Sequence, residues 1–353
     1  MYKNHLLNIT TGLLHSKSMK EEVKAVQALS EFFSRLTAHE DNHLQDLSDS
    51  ETIVSGGLAL SALDAAVCVD DYLRTARFIK GIYAALQELK KRFPSEKINI
   101  LYAGCGPYAT LITPLLPLLK KEEVKITLLE INEYAVQTVK ELLLKLGFET
   151  AVAEIICCNA LSYQQAASRP LHLLISETMF NALVREPQVA ITAHLAPQLK
   201  KNGILIPEEI SIDLAYTFFG KEPYLNNKSD VLNPSHQTKR RIKESERKKA
   251  DTLFSMNKDN NFSELVLNNT FQFESKVYEA PKDSQDHPDI CLFTRISIFK
   301  ELALNTAESF ITNPHCITAI SNMAGCSYFK LIYDFGQMPN WTYLRVGKFE
   351  SCL

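Results

Sequence analysis

Apolar residues recur at three- and four-residue steps through KEEVKAVQALSEFFSRL and again through LALSALDAAVCVDDYLRTARFIKGIYAALQELKKRF, between about residues 17 and 91. That period predicts amphipathic helices, with Gly56 and Gly57 breaking the run between them. The texture changes after Pro94 and Ser95. KINILYAGCGP is a short β-type run that meets a glycine-rich turn, and the apolar YATLITPLLPLL behind it predicts a helix. VKITLLE, AEIICCN and LHLLIS then read as strands, NEYAVQTVKELLLKLG and QVAITAHLAPQLK as helices, and GILIPEEISIDLAYTF as further strands. Apolar strands separated by helices predict a parallel sheet covered on both faces. Beyond about residue 210 the helical period fades, and SELVLNNTFQFESKVYE, DICLFTRISIFK and SYFKLIYDFG predict strands joined by polar turns.

The expected organisation is an α/β chain in three parts. Residues 1–95 form a helical N-terminal region, 96–208 a Rossmann-like domain and 209–353 a β-rich, barrel-like domain. Within the last, residues 221–262 carry no core signal, and KRRIKESERKK mixes basic residues with Glu244 and Glu246. This stretch predicts a solvated helix or polar arm.

Composition narrows the function classes. The chain has 353 residues, 46% of them hydrophobic, which is enough to fill extensive cores. A formal net charge of -3 argues against a nucleic-acid or anionic-membrane surface, since both need a strong positive field. No segment approaches the length of a membrane-spanning apolar run, so a soluble, cytoplasmic protein is expected. The eight cysteines include no C-x-x-C pair, and reduced, mostly buried thiols follow. HEDNH, His39 to His43, has the spacing of a zinc-binding H-E-x-x-H. Its surroundings are polar and loop-like and offer no third ligand, so no metal is expected.

LYAGCGPY places Gly104 and Gly106 where the first parallel strand turns out of the sheet, a point at which a ligand can approach backbone N–H groups. The next strand ends at Glu130, 24 residues after Gly106. An acid at that distance meets ribose hydroxyls in nucleotide-binding α/β units, although it also complements the dipole of the helix that follows. G-C-G-P-Y-A lacks the third glycine of a dinucleotide loop, which favours S-adenosylmethionine over NAD. Asn159 and Ala160, after the third strand, are similar in position to the polar residue that class I methyltransferases place beside adenine.

SETMFNALVRE, behind the fourth strand, carries Glu177 and Glu186 nine residues apart. It resembles the double-glutamate hairpin of the protein arginine methyltransferases, S-E-x-M followed by a second Glu. DYLRT, Asp71 to Thr75, is similar to that family's D-x-x-R-T. The order of these segments, with GILIPE leading into a β domain, extends the resemblance over roughly residues 65–320. It implies a Rossmann-like methyltransferase core, an S-adenosylmethionine cofactor whose carboxylate is held by Arg74 and whose ribose is held by Glu130, and a guanidinium oriented by Glu177 and Glu186. The chemistry supplies a reason. A guanidinium stays protonated and presents forked donors that carboxylates match bidentately, and two acids can turn one nitrogen toward a methyl donor.

The chain departs from the family in several places. Tyr102 and Tyr108 stand where the family has an acid and a third glycine, so either the contacts to the cofactor's amino group differ or the site is degraded; Pro107 and Tyr108 also crowd the place where a dinucleotide's pyrophosphate would lie. No Y-F-x-x-Y helix precedes DYLRT. TNPHC replaces the T-H-W loop, leaving His315 as the candidate catalytic residue behind the glutamates. The large N-terminal region and shortened barrel fit free arginine or another small guanidine better than an arginine-containing peptide. The family is generally dimeric through an arm of its β domain, for which residues 221–262 are the available segment. Rival readings are a methyltransferase for another small amine and a binding scaffold of the same fold without catalysis.

Overall fold

Val23, Val26, Leu29, Phe32, Phe33 and Leu36 form the buried face of α2 (Met19–Thr37). Their spacing of three and four residues is the reason this segment is helical and lies against the rest of the chain. The computed structural model describes residues 2–37, 50–227, 230, 242–267, 270–281, 285–323 and 326–346, so HEDNH lies outside the described residues. Helix α1 (Tyr2–Leu14) buries Leu6, Thr10 and Leu13, and the Thr10 hydroxyl donates to the Pro114 carbonyl at 2.7 Å. The helical pattern is then interrupted by a hairpin, β1 (Thr52–Val54) and β2 (Gly57–Ala59), before α3 (Ala62–Val67) and α4 (Tyr72–Arg92).

Five strands form the parallel sheet: β3 (Ile98–Ala103), β4 (Val124–Glu130), β5 (Glu154–Cys157), β6 (Leu171–Ser176) and β7 (Leu199–Ile206). Their order is β5-β4-β3-β6-β7 and every pairing is parallel. Helix α5 (Glu133–Leu146) stops at Gly147, whose φ of 72° supplies the left-handed cap. Strand order reverses at β3, so the carboxyl ends of β3 and β6 flank the crevice where ligands bind in such sheets.

YATLITPLLPLL differs from its expectation. Only Thr113–Leu118 is helical, and that as a 3-10 turn with Pro114 at its start and Pro117 inside. Two prolines in six residues remove the donors that an α-helix needs.

After helix α6 (Gln188–Leu195), β8 (Glu209–Thr217) begins the antiparallel region. One sheet contains β8, β9 (Lys248–Asn257), β12 (Asp289–Phe299), β13 (Leu302–Leu304) and β14 (His315–Ala319). The other contains β10 (Gln272–Glu274), β11 (Tyr278–Glu279), β15 (Tyr328–Asp334) and β16 (Asn340–Val346). Phe254, Tyr333 and Trp341 meet in one cluster, with the Tyr333 and Trp341 ring centroids 4.8 Å apart.

The polar arm is corrected in part. Residues 228–229 and 231–241 lie outside the described residues, but Lys248–Asn257 is a strand paired along β8. Only Phe254 and Met256 of it are buried, and two apolar anchors at a sheet edge leave a sequence that reads as polar. Arg247 binds Glu222 at 2.8 Å with both side chains buried, and its guanidinium lies 4.2 Å from the Phe293 ring centroid. SELVL is a short helix, α7 (Ser263–Leu267), in place of the expected strand. No helix among the described residues is long and apolar enough to cross a membrane.

Candidate active site

A cavity of about 730 Å³ opens at the carboxyl ends of β3, β4, β5 and β6. Arg74, Gly104, Gly106, Glu130, Asn159, Ala160, Glu177 and Glu186 all stand on its wall. Gly104 and Gly106 have φ of 68° and 65°, the left-handed region that favours glycine. A Cβ on Gly104 would come within 2.3 Å of the Thr178 methyl, so the glycine lets the end of β6 approach the loop.

Glu130 is fixed by three backbone donors. Gly106 N–H donates to Oε2 at 2.8 Å, while Ile131 and Asn132 N–H donate to Oε1 at 2.8 and 3.0 Å. Burial raises the Glu130 pKa, and these bonds work against that rise. Asn159 Oδ1 accepts from Leu161 N at 2.9 Å and thereby caps the turn that carries Ala160.

Arg74 lies in the first turn of α4 and is 6% exposed. Its Nη1 pairs with Glu177 Oε2 at 2.9 Å, and its Nη2 donates to the Cys68 carbonyl at 2.7 Å. Arg74 Nε and Glu177 Oε1 are both buried without a hydrogen-bond partner. Burial opposes the charge on Arg74, yet Glu177 above all keeps its pKa raised. The same burial pushes Glu177 up to about 7 against the pull of Arg74. Burial followed by the Glu177 charge pushes Glu186 up to about 8.

The segment between the two glutamates is unusual backbone. Ala182, Leu183 and Arg185 have φ of 53°, 60° and 69°, a region that non-glycine residues enter at an energetic penalty and hold only when their surroundings enforce it. The enforcement comes from distant elements. Thr294 on β12 accepts from Ala182 N at 2.8 Å. Tyr333 on β15 donates to the Leu183 carbonyl at 2.6 Å, and Trp341 Nε1 on β16 donates to the Ala182 carbonyl at 2.9 Å. From the hairpin, Leu58 N donates to the Arg185 carbonyl at 2.7 Å. Gly57 has φ 148°, and a Cβ there would meet that carbonyl at 2.6 Å. Gln188 Oε1 accepts from Thr178 N at 2.9 Å. Sequence reasoning identified none of Thr294, Tyr333, Trp341 or Gln188. Their one advance signal was that Tyr and Trp in a core need a partner for the polar tip. Tyr333→Phe is expected to lower unfolding stability by about 1 kcal/mol, the worth of one such bond, as read by denaturant titration.

The two raised pKa values carry a sign. Between the ordinary carboxylate value of 4.5 and about 8, the folded chain holds protons on Glu177 and Glu186 that the unfolded chain has released. Their contribution to stability is therefore fully present below pH 4.5 and lost as pH rises through about 7 to 8. Glu186→Gln should flatten that fall, as checked by denaturation midpoints across the same range; an unchanged slope contradicts the assignment.

The structure does not bring His315 to this group. It is the first residue of β14, paired with Leu292 on β12, and burial lowers its pKa. The cavity instead takes Phe310 and Ile311 from the preceding segment, because the turn at Phe310–Thr312 faces inward and His315 is already in the sheet ladder. Tyr108 turns toward the N-terminal helices. Its ring packs 5.3 Å from that of Phe33 on α2, and its hydroxyl meets Thr37 at 3.3 Å. Tyr102 does face the cavity, and burial keeps its phenol protonated. Among the described residues no group of three or more His, Cys, Asp or Glu is placed to hold a metal.

No protein-family model and no curated protein sequence matches the chain. Solved structures do. The Trypanosoma brucei PRMT1 enzyme-prozyme heterotetrameric complex with AdoHcy superposes with a TM-score of 0.50 at 13% identity, covering 80% of this chain and 92% of that one. The fold is that of the protein arginine methyltransferases. An Arabidopsis thaliana protein arginine methyltransferase 10, in an open conformation, aligns at a TM-score of 0.47 and 12% identity over 76% of this chain and 86% of its own. On the arginine methyltransferase fold, the N-terminal helices, central parallel sheet and antiparallel C-terminal region found here are the expected layers. Ahead of DYLRT, Val54, Leu58 and Ala59 of the hairpin and Ala65 of α3 stand on the cavity wall.

Proposed function

We propose that this chain is an S-adenosylmethionine-dependent N-methyltransferase that acts on a guanidino group. The observation that carries the reading is the pair Glu177 and Glu186, two desolvated carboxylates at a cavity that also contains the glycine loop and Arg74. Burial and their mutual charge favour the protonated acids before an acceptor binds, and a planar guanidinium stabilises the ionised pair by forked hydrogen bonds.

The residues fit the cofactor. Arg74 Nε, buried and without an acceptor, suits the cofactor's carboxylate, and Glu130 Oε2 has lone pairs left for a ribose hydroxyl after its bond to Gly106. Gly104 and Gly106 allow close approach, and Asn159 and Ala160 border the adenine end. When bound, the cofactor supplies a methyl group on a positively charged sulfonium. Glu177 Oε1, also buried without a partner, accepts an N–H of the acceptor. Glu177 and Glu186 then hold positive charge on the rest of the guanidino group, so that the attacking nitrogen regains lone-pair character, and Glu186, pushed up to about 8, takes the proton that this nitrogen gives up. The hairpin β1–β2, tied to the Arg185 carbonyl, walls one side and favours free arginine or a small guanidine over a protein-bound residue.

Calorimetric titration with S-adenosylmethionine tests the reading. Binding is expected at micromolar to sub-millimolar ligand, and no binding at millimolar ligand overturns the enzyme in favour of a scaffold.

A further inference from the structure

We propose that Asp71 receives the ammonium group of the cofactor's amino-acid moiety, so that Asp71 and Arg74 together form a cradle for a zwitterion. The inference rests on reading the cavity as an S-adenosylmethionine site, and it assigns a group that the glycine loop does not provide.

Asp71 is 4% exposed and stands on the cavity wall. Its Oδ2 is fully engaged, accepting from the Ser309 hydroxyl at 2.5 Å and from Phe310 N at 3.0 Å. Its Oδ1 is buried without any hydrogen-bond partner. A carboxylate oxygen stripped of water and left bare is heavily penalised unless a donor arrives. The Ser309 and Phe310 contacts reach across 238 and 239 residues and fix the side chain in this orientation.

The second bare atom lies on the same helix. Asp71 is the residue before α4, and Arg74 is in its first turn; positions three apart share one face. Arg74 Nε is buried and unpartnered, like Asp71 Oδ1. Two residues of the cavity wall, three apart at the start of one helix, thus carry one unsatisfied acceptor on an acid and one unsatisfied donor on a base. A ligand that answers both carries a cation and a carboxylate on neighbouring atoms, as an α-amino acid does.

Of the other acids on the wall, Glu51 pairs with Arg185, Asp64 accepts from Ser61 and Asp70 from Ser30, and Glu186 is assigned to the acceptor. Glu130 accepts three backbone N–H groups at the far end of the glycine loop, and Glu177 is paired with Arg74. The strand that leads into the loop ends at Tyr102 and Ala103, which bring no charge.

The test is calorimetry on the full chain with two probes, S-adenosylhomocysteine and its deamino analogue, in which hydrogen replaces the α-amino group. The wild-type chain should bind the deamino analogue about 10- to 100-fold more weakly, the range for a hydrogen bond to a charged group. Asp71→Asn should bind the two probes equally. Asp71→Ser, a residue favoured at the position before a helix, serves as the second variant should the first fail to fold. Wild-type indifference to the amino group overturns the proposal. So does a variant that loses affinity for both probes by the same factor, because Asp71 then only positions Arg74. Failure of wild type to bind S-adenosylhomocysteine at all overturns the cofactor reading itself and this proposal with it.

Discussion

Glu177→Gln is expected to lower methyl transfer to a guanidine acceptor by about 10²–10³-fold, the loss seen when one preorganised electrostatic partner of a reacting group is removed. S-adenosylhomocysteine binding should stay nearly intact. The amide oxygen can still accept from Arg74 Nη1, the contact that the carboxylate makes at 2.9 Å. What is lost is the negative charge beside the acceptor, and with it the ability to hold cationic charge away from the attacking nitrogen. Turnover by the variant equal to that of wild type, measured under saturating cofactor, removes the guanidine mechanism. Because the change leaves the buried Arg74 charge without its counter-ion, the denaturation midpoint of the variant is measured alongside, and turnover is compared at a temperature where both chains are folded.

Arg74→Ala is expected to act on stability and on cofactor binding together. Removing one member of a buried ion pair leaves the other uncompensated, and the loss is about 3 kcal/mol or more at pH 8. At pH 6 the loss should be smaller, because Glu177, already pushed up to about 7 by burial, then takes up a proton and no longer needs the guanidinium. Affinity for S-adenosylhomocysteine should fall by about 100-fold, the effect of truncating one partner of a buried charge pair. Combining Arg74→Ala with Glu177→Gln should recover part of the stability. Additive losses in the double variant, or equal losses at both pH values, contradict the coupling between these residues.

The parts of the site that were legible in the sequence share one property: each is written locally. Gly104, Gly106, Glu130, Glu177 and Glu186 all follow the carboxyl end of a strand whose apolar run is unmistakable, so fold and position could be read together. The structure places every one of them, with Arg74, Asn159 and Ala160, on the cavity wall. What was not legible depends on chain segments brought together by the fold. Thr294, Tyr333 and Trp341 lie 112 to 159 residues from the backbone they restrain, and nothing in their neighbourhoods distinguishes them from core residues. Asp71 was visible as the first letter of DYLRT, but its bare oxygen is a consequence of where Ser309 and Phe310 arrive.

Tyr108 and His315 show the opposite relation. In a linear reading both neighbour the site, yet Tyr108 is drawn off by Phe33 on the N-terminal helices and His315 by its pairing with Leu292. The strand Lys248–Asn257 was hidden because a sheet edge needs few apolar residues, here Phe254 and Met256. YATLITPLLPLL misled in another way: its hydrophobicity reported burial correctly, while Pro114 and Pro117 decided that the backbone would not be an α-helix.

The central claim is that a guanidino nitrogen is methylated between Glu177 and Glu186. The most direct measurement is mass spectrometry of free arginine and of an arginine-rich peptide after incubation with S-adenosylmethionine and the full chain. The account predicts a mass increase of one methylene unit located on the guanidino group, larger for free arginine than for the peptide and lost in Glu177→Gln. The absence of methylation of either acceptor by a chain that binds the cofactor, or product formed equally well by Glu177→Gln, would contradict it.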